Sequence, residues 1–146
     1  MTDEAVTTIE TQVALLLRLA DRNRRATTLS TTLERSAYLA LRLLDTTGPT
    51  GINDIADHLR LDASTVTRQV LAMEAAGYVT REKDVHDGRR AVVTTTPAGV
   101  TALTETRAAR AEVYADVLAD WSDEDRRLLG ELLTRLNDDL DAHGSR

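Results

Sequence analysis

Residues 61–99 read LDASTVTRQVLAMEAAGYVTREKDVHDGRRAVVTTTPAG. The first half of this stretch has helical period. Val66, Val70 and Met73 recur at i, i+4 and i+7 and share one face. At about 100° per residue, Ser64 and Arg68 point the other way, with Thr65 and Thr67 on the flanks. Asp62 precedes the run as a candidate N-cap, and Gly77 follows it as a residue able to take positive φ. The second half changes period. Tyr78-Val79 opens a short strand, and Ala91-Val92-Val93 begins another that runs into threonines. Between them Asp84-Val85-His86-Asp87-Gly88-Arg89-Arg90 is polar and centred on a glycine, as suits a hairpin tip.

Helix, strand, basic loop, strand is the order of a winged helix-turn-helix. The stretch resembles the MarR (multiple antibiotic resistance regulator) family of bacterial transcription factors. The matching residues are Ser64, Val66, Thr67, Arg68 and Gly77, then Arg81, Asp84, Asp87, Arg89, Val93, Thr96 and Gly99. Asp87-x-Arg89-x-x-x-Val93, closing on Thr96-x-x-Gly99, is specific only because it follows a helix that ends in Gly. One departure stands out. Relatives often carry polar or basic residues after the arginine on the outward face, where this chain has Leu71, Ala72, Ala75 and Ala76. Fewer phosphate contacts and a shallow salt dependence are expected. Leu71 is left to meet a thymine methyl group or a partner protein.

Working outward, the flanking segments read as helices. Glu4 to Arg25 carries Ile9, Val13, Leu16, Leu17 and Ala20 on one stripe, widened by Leu15 and Leu19. Its arginines, Arg18, Arg22, Arg24 and Arg25, form a solvated face or pair with the acidic tail. Ala26 to Thr32 is rich in Thr and Ser and reads as a loop. Leu33 to Leu44 is the next helix, stopped by Gly48-Pro49. Asn53 is the expected cap of a short helix from Asp54 to Arg60, which presents Ile55, Ala56 and Leu59 inward. Its connection to the next helix is as tight as a helix-turn-helix requires.

Thr96-Pro97 is a further start signal, for a long helix to about Asp120. Val100, Leu103, Ala111, Tyr114, Val117 and Leu118 are its candidate buried positions, and Trp121 closes it. Ser122 with Asp125 has the spacing of a capping box, and the last helix carries Leu129, Leu132, Leu133, Leu136 and Leu140. The expected fold is therefore mainly α with a small β-hairpin wing. The resemblance implies a winged helix-turn-helix flanked by dimerisation helices. The expected division is residues 1–32 for the first dimerisation helix and loop, 33–96 for the DNA-binding domain, and 97–146 for the C-terminal dimerisation helices.

Composition narrows the function. The 146 residues contain no Cys and no Phe, one Trp and three Tyr. Disulfides, thiolate metal sites and cysteine redox sensing are thereby excluded. No apolar run approaches the roughly 18 residues of a membrane span, and Met1-Thr2-Asp3-Glu4 has no signal-peptide pattern, so a cytoplasmic protein is expected. The net charge is −6, awkward for a nucleic-acid binder. Its distribution resolves this. Residues 50–96 hold 6 basic and 7 acidic side chains, while residues 97–146 hold 6 and 11. Screening removes distant charge. Seventeen of the 18 basic residues are Arg, the side chain suited to guanine edges and narrow minor grooves.

For enzyme chemistry the inventory is empty. No nucleophile motif, Gly-rich phosphate loop or metal-spaced pair is present, and His58, His86 and His143 lie far apart in sequence. No cofactor or metal is expected. For DNA, Arg68 faces outward toward a guanine O6/N7 or a phosphate, or into a surface ion pair. Ser64, Thr65 and Thr67 suit phosphate or base-edge bonds, although Ser64 also fits the cap. Gln69, on the border between faces, is a further candidate DNA contact. The resemblance implies that Arg89 enters a minor groove, that Asp87 orients it and that Arg90 meets phosphate; alternatively, Asp87 and Gly88 only form the turn. It also implies a homodimer on an inverted repeat of double-stranded DNA, acting as a repressor. Release by a small phenolic or lipophilic ligand is implied too, with Tyr38, Leu41 and Arg42 as candidate lining. Against this stands a winged helix serving only as a protein-interaction module, and a nonspecific DNA compactor is disfavoured by the acidic balance.

Overall fold

The structure is a computed structural model that describes residues 3–26 and 33–144. Among the described residues the order is α1 (Glu4–Ala26), α2 (Arg35–Thr47), β1 (Thr50–Gly51), α3 (Ile52–Leu59), α4 (Ala63–Ala75), β2 (Val79–Lys83), β3 (Ala91–Thr95), α5 (Pro97–Val117) and α6 (Asp123–Gly144). The expected loop from Ala26 to Thr32 lies, beyond Ala26, outside the described residues. The chain divides into two compact units, residues 1–110 and 111–146.

The core of the first unit is aliphatic. Ala40, Leu41 and Leu44 of α2, Ile55 and Ala56 of α3, and Val66, Val70 and Met73 of α4 meet Val79, Val93 and Leu103. The apolar face read from the sequence of α4 is thus its buried face. Three antiparallel strands in the order β1-β3-β2 close one side. β2 pairs with β3 from Val79↔Thr95 to Lys83↔Ala91, and only Val79 and Val93 of this hairpin are fully buried.

β1 was not expected. It is two residues long, pairing Thr50↔Val93 and Gly51↔Val92, and a two-residue strand leaves no periodicity to detect. Its pairing moves the start of α3. The expected cap at Asn53 is replaced by Gly51, and the helix begins at Ile52 and ends at Leu59. Arg60 closes it at φ 55, ψ 42, and the Leu61 N–H reaches the Ala56 carbonyl at 3.0 Å, a left-handed stop that lets α4 begin three residues later. α2 starts at Arg35 and runs on to Thr47, past the expected end at Leu44.

α5 is tied to the wing at its first turn. Thr96 Oγ1 accepts from the Gly99 N–H at 3.1 Å and donates to the Gly77 carbonyl at 2.6 Å. Gly77 itself has φ 82. A Cβ on Gly99 would overlap the Tyr78 carbonyl oxygen and stand 2.8 Å from Thr95 Cγ2. Further along α5, Thr106 Oγ1 accepts from the Leu33 N–H at 3.3 Å, and Arg110 donates to the Leu33 carbonyl at 3.1 Å with its guanidinium 4.4 Å above the Tyr38 ring. The start of α2 is therefore held by α5 through polar contacts and a cation–π contact.

The expectation of a buried stripe all along α5 is corrected. Gly99, Leu103 and Thr106 are buried, but Val100, Tyr114 and Val117 are exposed, and the helix stops at Val117 rather than near Asp120. In the second unit, Ser122 Oγ accepts from the Asp125 N–H at 3.1 Å, the forward half of the expected capping box. α6 has no buried residue: among the described residues Leu132, Leu133 and Leu140 are exposed.

Gly99→Ala tests the close approach. Alanine normally favours a helix interior over glycine, yet here we expect a loss of about 1–3 kcal/mol, the scale of overpacking. Gly130→Ala in α6, where a Cβ meets nothing within 4 Å, should instead gain about 0.5–1 kcal/mol. Urea unfolding of both variants measures the contrast; a stabilised Gly99→Ala would contradict the packing described.

Candidate nucleic-acid interface

The outward face of α4 is polar at its start and apolar further on. Ser64 and Arg68 are exposed, while Thr65, Thr67 and Gln69 are half-buried. Asp62 occupies the N-cap position with extended backbone, but its carboxylate makes no bond to a helix N–H. It accepts instead from Ser64 Oγ and, at 2.5 Å, from Thr65 Oγ1. These two hydroxyls, Ser64 first, draw the Asp62 carboxyl down to about 2. Thr67 Oγ1 donates to the Ala63 carbonyl at 2.8 Å. Arg68 keeps its charge toward solvent, with Nη2 3.5 Å from Thr65 Oγ1.

Gln69 is placed differently from its expected role. Its Oε1 is buried without a hydrogen-bond partner, and the residue lines a cavity of about 190 Å³ between α2 and α4, with Leu33, Ala37, Ala72, Met73 and Tyr78. The expected ligand residues Tyr38, Leu41 and Arg42 do not line it. Leu41 is fully enclosed in the core and offers no surface to a ligand. Tyr38 is half-buried beneath Arg110, and Arg42 is exposed.

The wing loop is built by its own acids. The Asp84 N–H reaches the Arg90 carbonyl at 2.8 Å, and the Arg90 N–H reaches the Asp87 carbonyl at 3.0 Å. Asp84 Oδ1 accepts from the His86 N–H at 2.9 Å, and Asp87 Oδ1 from the Arg89 N–H at 3.0 Å. Asp87 therefore holds the backbone of Arg89, not its guanidinium, which corrects the expected orienting contact: the short Asx-turn geometry captures the nearer N–H. The Arg89 side chain is exposed and takes part in no hydrogen bond or ion pair among the described residues.

Arg90 is not free for phosphate. It pairs with Asp54 of α3, fastening the wing base to the first helix of the helix-turn-helix. Two further features escaped the sequence reading. Arg81 of β2 forks onto Glu74 of α4, with Nε and Nη2 3.1–3.3 Å from the carboxylate oxygens. No local spacing signals a pair between residues on a helix and a strand. Val85 at the tip is 95% exposed, an apolar side chain set among charges.

The comparisons agree with this geometry. A MarR family profile matches residues 33–91, and an uncharacterised HTH-type transcriptional regulator of Bacillus subtilis, YxaD, is 41% identical over 105 residues, 72% of this chain and 73% of that one. The chain belongs to the MarR family. It is a DNA-binding transcription regulator of that family, not an enzyme. In fold it is similar to a MarR family protein from Bacillus stearothermophilus, at 22% identity and TM-score 0.78, covering 96% of this chain and 98% of that one. It is also similar to the PcaV regulator of Streptomyces coelicolor, solved with its natural ligand, at 21% identity and TM-score 0.72, covering 94% and 98%. No helix among the described residues is long and apolar enough to cross a membrane, and among them no group of three or more His, Asp or Glu side chains is arranged to hold a metal ion.

The Asp54–Arg90 pair engages a cation that the wing would otherwise present to solvent. Both side chains are about half exposed, so breaking the pair should alter stability by less than about 1 kcal/mol. Asp54→Asn is expected to leave the fold unchanged, raise DNA affinity and steepen the salt dependence by about one phosphate contact per freed arginine. Fluorescence anisotropy across a salt series measures this; weaker binding by Asp54→Asn would show that the pair itself is needed on DNA.

Proposed function

We propose that this regulator is a homodimeric, sequence-specific repressor acting in the cytoplasm on an inverted repeat of double-stranded DNA, released by a small lipophilic or phenolic ligand. The observation that carries the DNA reading is the placement of Arg68 and Arg89. They are exposed, opposed by no carboxylate among the described residues, and stand on two separate elements, helix and wing, each suited to a different groove. Residues 33–96 would carry DNA recognition, and residues 1–32 and 97–146 dimerisation. Supporting the dimer, α1 exposes Val6, Ile9, Leu16 and Leu17, and α6 exposes Leu132 and Leu140, large apolar side chains on each helix for a second copy to cover. The bound natural ligand of the Streptomyces relative supports an effector, with Tyr38 and Arg42 the residues on α2 available to it.

Arg89→Ala should weaken binding about tenfold or more and do so most on sites with A·T-rich flanks, where a narrow minor groove attracts arginine. Arg68→Ala should cost about 1–3 kcal/mol and relax base preference within the half-site. Gel shift on a selected site reads both, and Trp121 fluorescence checks that the helical lobe is intact. Unchanged binding in both variants would sink the assignment and favour a protein-interaction role. Light scattering should give a dimer at micromolar concentration; a monomer that still binds DNA well would remove the inverted-repeat geometry, in which recognition helices sit roughly 10 base pairs apart.

A further inference from the structure

The three hydroxyls at the start of α4 all have their protons committed inward. Ser64 and Thr65 both donate to the Asp62 carboxylate, and Thr67 donates to the Ala63 carbonyl oxygen. An ionised carboxylate and a carbonyl oxygen only accept, so the direction of each of these bonds is fixed by chemistry rather than by a free rotor. The Asp62 carboxyl lies near 2 and is ionised at any pH at which the protein works. What the hydroxyls present outward is therefore lone pairs alone. Beside them Arg68 is exposed and donates.

We propose that α4 reads DNA as an acceptor array with one donor: Ser64 and Thr67 accept from exocyclic amino groups, adenine N6 or cytosine N4, and Arg68 donates to a guanine or phosphate; Asp62 imposes the polarity of Ser64, and the Ala63 carbonyl that of Thr67, without touching DNA. Phosphate oxygens accept only, so the locked hydroxyls refuse them, and they equally refuse the keto oxygens of guanine O6 and thymine O4. Asp62 is thus a positioning residue that sets specificity. The inference deepens the DNA reading above and rests on it.

The test uses the full chain and the duplex it selects from randomised DNA. At each selected adenine, purine deoxyriboside removes the N6 amino group; at each selected cytosine, 2-pyrimidinone deoxyriboside removes N4. The two analogues tell the two sources apart. In the unaltered protein at least one such deletion per half-site should lower affinity roughly three- to tenfold, and the natural swap to a keto base there should lower it further. The order amino, then none, then keto is the signature. Asp62→Ala frees the Ser64 and Thr65 protons, and the keto base should then bind no worse than the deleted analogue. Ser64→Ala removes an acceptor and should erase the sensitivity at one position, which keeps the test open if Asp62→Ala fails to fold. A selected site indifferent to every amino deletion, or an order unchanged in Asp62→Ala at the position that Ser64→Ala identifies, overturns the inference and leaves the DNA reading standing. If no sequence is selected at all, both fall.

Discussion

The carbonyl of Tyr78 and the hydroxyl of Thr96 form the junction on which the winged unit depends. The Tyr78 N–H closes back on the Met73 carbonyl at 2.9 Å, and its own carbonyl receives the Thr96 N–H at 3.0 Å. The Thr96 hydroxyl bridges the Gly77 carbonyl and the Gly99 N–H. Four chain segments meet there: the end of α4, the start of β2, the end of β3 and the start of α5. Backbone groups that would otherwise be orphaned at two helix ends are satisfied by one side chain and its neighbours. The arrangement works only because Gly77 takes φ 82 and Gly99 brings the α5 backbone against the Tyr78 carbonyl. Its consequence is functional. The end of α4 and the base of the wing are joined at this junction and again at Arg81–Glu74, so the elements that carry Arg68 and Arg89 are linked by direct contacts.

Much of this was legible in the sequence because it follows from local chemistry. The period of Val66, Val70 and Met73 gave the buried face of α4. Gly77 marked its end, and Thr96-Pro97 marked the start of α5, with the threonine capping as expected. What escaped depends on which of several possible partners each group finds in the folded chain. β1 exists because β3 supplies a partner, and pairing at Gly51 drew the start of α3 away from Asn53. Arg90 and Arg81 were visible as cations, but their carboxylates lie on α3 and α4, 36 and 7 residues away. Asp62 was read correctly as the residue at the cap and wrongly in its partners: two neighbouring hydroxyls compete with the helix N–H groups for its oxygens, and they hold it. Gln69 sits on the boundary of two faces, and only packing against α2 decided that its amide oxygen goes inward.

A protein of net charge −6 that binds a polyanion must place its few useful charges carefully. Around the wing the acids are turned to structural use: Asp84 and Asp87 hold backbone N–H groups, and Glu74 and Asp54 hold Arg81 and Arg90. Each of these acids is screened by the group it binds, and Arg81 and Arg90 are each occupied by a carboxylate of this chain. Arg68, Lys83 and Arg89 remain without an opposing carboxylate among the described residues. So small a set of cations makes only a modest counterion-release contribution, since the salt slope grows by about 0.9 per phosphate neutralised. On the proposed DNA reading, nonspecific affinity is correspondingly limited, and discrimination falls to directed hydrogen bonds. A surface of few charges and polarity-locked hydroxyls gains little from phosphate wherever it lands, so it gains most where the base edges match it.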